Sequence, residues 1–151
     1  MILPNGRYVK FEALSEINGN FWASMAEFDL LSAGGQAIAR TGWQVTTDSQ
    51  ETSAENGRVT NAFDGDPATY WHSVWSVNHT GMPHSVVIDT RASQAFKGFR
   101  YMPRDGGGNG TVAQYRLFVS PDGVNWGTPV SQGNLTQLGA AANTKTVLFA
   151  P

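Results

Sequence analysis

Within one short stretch, Asn61, Asp64, Asp66 and Thr69 place oxygen-bearing side chains at close intervals in a loop tightened by Gly65 and Pro67. A hard cation such as calcium takes about six to eight oxygens, mixed from carboxylates, carbonyls and hydroxyls. The same residues also suit an ordinary Asx turn capped by Thr69. Asp64 and Asp66 are paired carboxylates as well, but a bound cation accounts for them better than acid–base chemistry does. The three histidines, His72, His79 and His84, have no obvious nucleophile partner in the sequence. No GxSxG, HExxH or P-loop pattern accompanies them, so an enzyme is not expected.

The elements that must hold these residues read as short strands. The chain has 151 residues, with 17 Gly and 7 Pro, which is the punctuation of many turns and not of long helices. This is one domain's length, enough to bury a substantial core. Arg7 to Ala13 alternates apolar and polar residues as a half-buried strand does. Met25 to Leu31, Trp43 to Thr47, Ser85 to Asp89, Phe96 to Met102 and Lys145 to Phe149 read as further strands. Thr111 to Ser120 is expected to be the longest, ending in the turn Pro121-Asp122-Gly123. Asp48 to Asn61 reads as polar loop with at most a helical turn. Helical periodicity is not sustained over ten residues anywhere, so the expected fold class is all-β, an antiparallel two-sheet sandwich.

Charged residues make up only 15% of the chain and the net charge is −2, which argues against nucleic acid or an anionic membrane as partner. With no Cys, disulfides, zinc–thiolate sites and a Cys nucleophile are excluded. No apolar stretch approaches the roughly 20 residues of a membrane helix. Met1-Ile2-Leu3 lacks the basic region of a signal peptide, so any export signal is expected outside this sequence.

Four segments carry a family likeness: NAFDGDPATYWHSVWS (Asn61 to Ser76), GFRYMPRDGGGNG (Gly98 to Gly110), YRLFVSPDGVNWGTPVSQG (Tyr115 to Gly133) and YVKFEALSEINGNFWASMAEFDL (Tyr8 to Leu30). Together they resemble the discoidin, or coagulation factor V/VIII C-type, fold in its branch of family 32 carbohydrate-binding modules. The resemblance spans nearly the whole chain and implies a galactose-binding-like jelly roll. Its segment order differs. In the family the segment like Tyr8 to Leu30 comes last, after one like KTVLFAP; here it comes first. Residues 1–31 would supply the closing strands and residues 38–151 the rest. Joining Pro151 to about Asn5 restores the family order, so the chain reads as a circular permutant. A cut across two tandem modules would leave the same order. In either case the tail strand must fill the vacant place, in its own chain as a monomer or in a neighbour's as a strand-swapped oligomer.

The resemblance also implies two sites. For the cation, Asp64 would give a carboxylate, Asp66 a side-chain or backbone oxygen, Thr69 its hydroxyl, and Asn61 its carbonyl. Glu27 would add a carboxylate from the displaced N-terminal piece, with the Ala26 carbonyl beside it. Calcium, or sodium in its place, would have a structural role. For the sugar, the family's His, Arg and Asn match His72, Arg104 and Asn109, with Trp22 or Phe21 as the stacking ring and Trp75 as a further platform. Arg104 would present its fork to two hydroxyls. Asn109 would donate and accept, and a neutral His72 would meet an axial hydroxyl. Individually each residue has a plainer role: His72 packed, Arg104 in a surface ion pair, Asn109-Gly110 in a turn, Trp22 in the core. Trp43, Trp71 and Trp126 are assigned to the core or its edges.

The expected function is a non-catalytic module for terminal galactose or galacto-configured sugars. It would be secreted or extracellular as part of a larger protein. Two alternatives remain open. Phe21-Trp22 could serve as a membrane spike, which the sparse positive charge disfavours. The module could also be a spacer without a ligand.

Overall fold

The computed structural model describes residues 2–149; Pro151, where the expected junction to Asn5 falls, lies outside them. Among the described residues nine strands form in chain order: β1 (Asn5–Ala13), β2 (Ser24–Met25), β3 (Glu27–Ser32), β4 (Gln44–Thr47), β5 (Trp71–His72), β6 (His84–Met102), β7 (Gln114–Ser120), β8 (Ser131–Asn134) and β9 (Lys145–Leu148). All the strand pairings are antiparallel. The helical turns among the described residues are short 3₁₀ segments at Val59–Phe63 and Leu135–Leu138. The fold class is the all-β architecture expected of a jelly-roll sandwich.

β6 organises the fold. Its first half pairs with β1 and β4, and its second half pairs with β3 and β9. Two separate strands were expected here, but one strand of 19 residues runs through both halves. The ladder survives the corner because Asn5 and Gly6 pair with Ala95 and Gln94. Bending is absorbed at Arg91, with φ at +70°. There the Arg7 guanidinium grips Asp89 through bonds of 2.8 and 2.9 Å and holds its carboxyl down to about 2. Strands that change sheet in this way make the corners of sandwiches. β7 is shorter than expected, seven residues, because Thr111 and Ala113 bond instead to the loop at Ile17 and Ser15.

The N-terminal segment lies inside the sandwich. β1 sits between β6 and β7, with Phe11 opposite Val86 on one side and Leu117 on the other. It does not pair with β9. Instead β9 and β1 occupy consecutive stretches of β6: Leu148 faces Gly98, and Asn5 faces Ala95. Between them Phe149 donates to Lys97 O at 2.8 Å, and Pro4 O accepts from Phe96 N at 2.9 Å. The approach of β9 to β6 requires glycine at Gly98, where a Cβ would lie 2.0 Å from Val147 O.

The core fills with aromatic rings from all parts of the chain. Phe11 meets Phe28 edge-on at 5.3 Å and stacks parallel to Tyr115 at 6.0 Å; Phe28 stacks on Phe99 at 5.4 Å. Phe11, Phe28, Phe99 and Trp71 are fully buried. Each such side chain contributes about 1.5–3 kcal/mol, and aromatic pairing adds to this. β1 and β3 therefore supply core that the remaining strands cannot replace.

Candidate functional site

Three loops and the short strand β5 meet at one cleft. Trp22 comes from the β1–β2 loop, His72 from β5, Trp75 from the turn after it, and Arg104 and Asn109 from the β6–β7 loop. The β2–β5 pair holds them in register: Ser24 faces His72, Ser73 N donates to Ala23 O, and Ser73 Oγ accepts from Ala23 N. On the other side Ser24 Oγ donates to Asn109 O at 2.7 Å, and Ser24 N donates to Gly110 O. Gly110 is needed there. Its φ is +85°, and a Cβ would fall 2.6 Å from Ser24 Oγ. The Asn-Gly turn thus serves to bring Asn109 against β2.

The result is a cleft of about 380 Å³ lined by Trp22, Glu55, His72, Trp75, Arg104 and Asn109. Five of the six expected sugar-site residues line it. Phe21 does not: its ring stacks on His79 at 4.0 Å, and its carbonyl accepts from His84 Nε2. Between the two adjacent aromatics, Trp22 is therefore the ring at the cleft. Its Nε1 is buried without a hydrogen-bond partner.

His72 is only 2% exposed, and burial pushes its pKa below the usual histidine range. Its Nδ1 lies 2.8 Å from Ser73 O, so the neutral ring carries its proton there and Nε2 is left as an acceptor. The Arg104 guanidinium lies 4.2 Å over the Tyr70 ring and binds Asp105 through Nε and Nη2. The remaining N–H groups stay available for a ligand. Glu55 and Tyr70 were missed by sequence reasoning. Tyr70 OH donates to Glu55 at 2.7 Å, and the Trp75 indole donates to the other Glu55 oxygen at 3.0 Å. Arg104, Tyr70, Glu55 and Trp75 thus form one connected wall. Nothing in DSQETSAENGR sets Glu55 apart from its polar neighbours, because the link to Trp75 spans a loop.

The expected cation residues also come together. Thr69 Oγ1 donates to Asp64 Oδ2 at 2.5 Å and lies 3.1 Å from Asp66 O and 3.5 Å from Asn61 O. Asp66 offers its carbonyl here, since its carboxylate accepts from Ala68 N. Glu27 reaches across from β3. Its Oε1 binds Arg40 Nη2 at 2.8 Å and Gly65 N at 3.2 Å, whereas its Oε2 is buried without a partner. Burial pushes the Glu27 pKa up, with the neighbouring Asp64 carboxyl adding to the rise against Arg40. Burial also pushes Asp64 up, but its bonds from Thr69 and Asp66 N outweigh this and leave it low. Ala26 is buried beside Glu27, its N–H given to Met102 O. Among the described residues no cluster of three or more acidic, His or Cys side chains is placed to hold a metal. A cation here would rest on two carboxylates plus neutral oxygens, and an orphaned carboxylate oxygen fits that need. Arg40, which also approaches Asp29 at 3.6 Å, was not anticipated.

Trp71 is fully buried, Trp43 packs partly buried on the core, and Lys10 covers Trp126 at 4.9 Å on the surface.

Fold and cleft define an antiparallel β-domain with an aromatic-and-polar recognition site built on loops. Residues 44–151 match the F5/8 type C domain, and the chain belongs to that family. It is 37% identical over 102 residues to a galactose oxidase of Gibberella zeae, covering 66% of this chain and 15% of that protein. It is 38% identical over 90 residues to a sialidase of Micromonospora viridifaciens, covering 59% of this chain and 14% of the sialidase. A lacto-N-biosidase of Bifidobacterium bifidum is 33% identical over 93 residues, covering 55% of this chain and 8% of that protein. The chain thus matches only a small part of these enzymes' length, and the match is to the F5/8 type C domain. Such domains are typically carbohydrate-binding modules of glycan-active enzymes.

Proposed function

We propose that this domain is a non-catalytic module recognising terminal galactose or a related galacto-configured sugar, stabilised by a calcium ion and working outside the cell within a larger protein. The observation that carries the reading is the convergence of Trp22, His72, Arg104 and Asn109 on one cleft from three separate stretches of sequence. A galacto sugar has an apolar face and an axial hydroxyl. Trp22 stacks on the former, while His72 Nε2, Arg104 and Asn109 bond the polar side. Glu55 adds an acceptor for ligand hydroxyls, and Trp75 a second ring.

The ion would be held by Glu27 Oε2, Asp64, Thr69 Oγ1 and the carbonyls of Asn61 and Asp66, with Ala26 O as a further donor. It would supply charge balance and fasten the Asn61–Thr69 loop to β3. The orphaned Glu27 oxygen supports this. The segment order is read as a circular permutation in a monomer. The in-line succession of β9 and β1 along β6, and a family match that covers residues 44–151, support that order.

Only a few hydrogen bonds of about 0.5–1.5 kcal/mol each and one stacking contact are involved. The expected dissociation constant is therefore about 0.1–1 mM. Calorimetry against galactose and glucose tests the reading. Galactose binds in this range, glucose with its equatorial 4-hydroxyl binds much more weakly, and Arg104→Ala removes most of the galactose affinity. Equal binding of the two sugars, or binding untouched by Arg104→Ala, would refute it.

A further inference from the structure

Two buried glutamates sit behind the cleft without lining it. Glu51 is 1% exposed. Its Oε1 accepts from the backbone N–H groups of Trp75 and Ser76, at 3.0 and 2.9 Å. Its Oε2 accepts from Ser53 N, Ala54 N and the Ser76 hydroxyl, at 2.9, 3.0 and 2.8 Å. One carboxylate thus joins two loops about twenty residues apart in sequence, the first ending at Glu55 and the second carrying Trp75.

Glu16 does the same for the opposite wall. It is 3% exposed. Its Oε1 accepts from Asn18 N at 2.6 Å and Asn20 N at 3.1 Å; its Oε2 accepts from Asn20 Nδ2 at 3.1 Å and Gly110 N at 3.2 Å. The first loop leads into Trp22, and the second contains Asn109.

We infer that Glu16 and Glu51 are paired positioning residues, each setting one wall of the cleft: Glu16 the Trp22–Asn109 wall, Glu51 the Glu55–Trp75 wall. The physical reason is the number of donors. Each buried carboxylate accepts at least four hydrogen bonds from N–H or O–H groups of two separate loops, so losing them would leave the buried charge unpaired, and this fixes loop geometry more tightly than apolar packing alone. An amide cannot replace it, because its NH₂ would face donors. The ionised state is built in: burial pushes Glu51 up, but the converging backbone N–H bonds outweigh it and hold the carboxyl far below the usual range. In Glu16 likewise, bonds from Asn20, Asn18 and Gly110 overcome the effect of burial. The consequence is a cleft whose two walls are set independently and before any ligand arrives.

The inference rests on the cleft being the sugar site, but its test does not depend on sugar alone. The five tryptophans give five indole resonances in a ¹⁵N-labelled chain. In Glu51→Gln the Trp75 indole, bonded to Glu55, should shift while those of Trp22 and Trp126 stay in place. In Glu16→Gln the Trp22 indole should shift while Trp75 stays. Each variant should weaken galactose binding by about tenfold or more, the order seen when groups supporting a preorganised site are lost. Glu12→Gln, at a half-buried pair with Arg116 that joins β1 to β7 and does not line the cleft, should move neither resonance. If a glutamine variant does not fold, Ser76→Ala and Asn20→Ala each remove donors from one carboxylate without adding an opposed one, and are read in the same way. Trp22 and Trp75 unmoved in folded variants, or all five indoles moving alike, would overturn the inference. A native chain that ignores galactose would refute the sugar reading, while the indole pattern would still decide whether the two glutamates set the walls.

Discussion

The cleft and the acidic site, where Glu27 of β3 meets the Asn61–Thr69 loop, each contain one buried side-chain atom without a partner, and among the described residues these are the two such atoms in the structure. In the cleft it is a donor, Trp22 Nε1. Against the acidic loop it is an acceptor, Glu27 Oε2, reaching over from β3. A neutral N–H left unpaired costs about 1–3 kcal/mol, and a charged oxygen costs more. Around the cleft the charges are already answered: Arg104 by Asp105, and His72 by neutrality. Around Glu27 they are not, since Arg40 occupies one oxygen and the other faces burial and Asp64. The cleft is therefore finished before its ligand arrives, whereas the acidic loop is not. A cation should relieve a cost already present in the folded chain, whereas a sugar should add only the stabilisation that its own binding carries.

Chelation should give the largest effect. If calcium is present at about a hundred times its dissociation constant, it adds about 2.7 kcal/mol to stability. Removing it should lower Tm by about 5–10 °C in a domain of this size. Glu27→Ala and Asp64→Ala should each abolish the response to chelator. A melting curve indifferent to chelator and to added calcium would erase the distinction between the two regions.

Within the cleft, Arg104→Ala should cost about 1.5–3 kcal/mol of binding, as expected for hydrogen bonds to a charged group. Trp22→Ala should cost about 0.5–1.5 kcal/mol or more as the stacking face is lost. Phe21→Ala should cost less, because its ring stacks on His79. Titration calorimetry would check the ranking, and a larger loss for Phe21→Ala would reverse the choice of ring. None of these variants should alter the response to chelator.

The smallest effect concerns the histidine that holds Phe21, next to Trp22. His84 is fully buried. Burial pulls its pKa down, but bonds to Asp48 at 3.2 Å and to Phe21 O at 2.8 Å outweigh this and raise it. Because the folded pKa lies above the unfolded value, the stabilisation is complete below about pH 6.5 and is lost as pH rises through the folded pKa. Tm measured across pH 5.5–8.5 should show this decline in the native chain and a flatter profile in His84→Gln; parallel profiles would remove His84 from the account.

The strands of the sandwich were legible because a half-buried strand writes its period into the sequence, as Arg7 to Ala13 does. The continuity of β6 was not, because the ladder across Thr90 to Ala95 depends on Asn5 and Gly6, far away in the chain. The residues that face the cleft were legible through their segments' family likeness. Glu16, Glu51 and Glu55 were not, because their roles lie in bonds between loops that no local spacing records. The choice between Phe21 and Trp22 was also beyond the sequence, since it turns on His79 and His84 taking up Phe21.

The proposed galacto sugar would occupy the Trp22 cleft, within reach of both Trp22 and Trp75. Titrating the ¹⁵N-labelled chain with galactose to about 10 mM, well above the expected dissociation constant, tests it most directly. The Trp22 and Trp75 indole resonances should move together along one saturable curve while Trp43, Trp71 and Trp126 stay fixed, and the same amount of glucose should move them far less. Saturable shifts confined to Trp126, or no shift in any indole, would contradict the account.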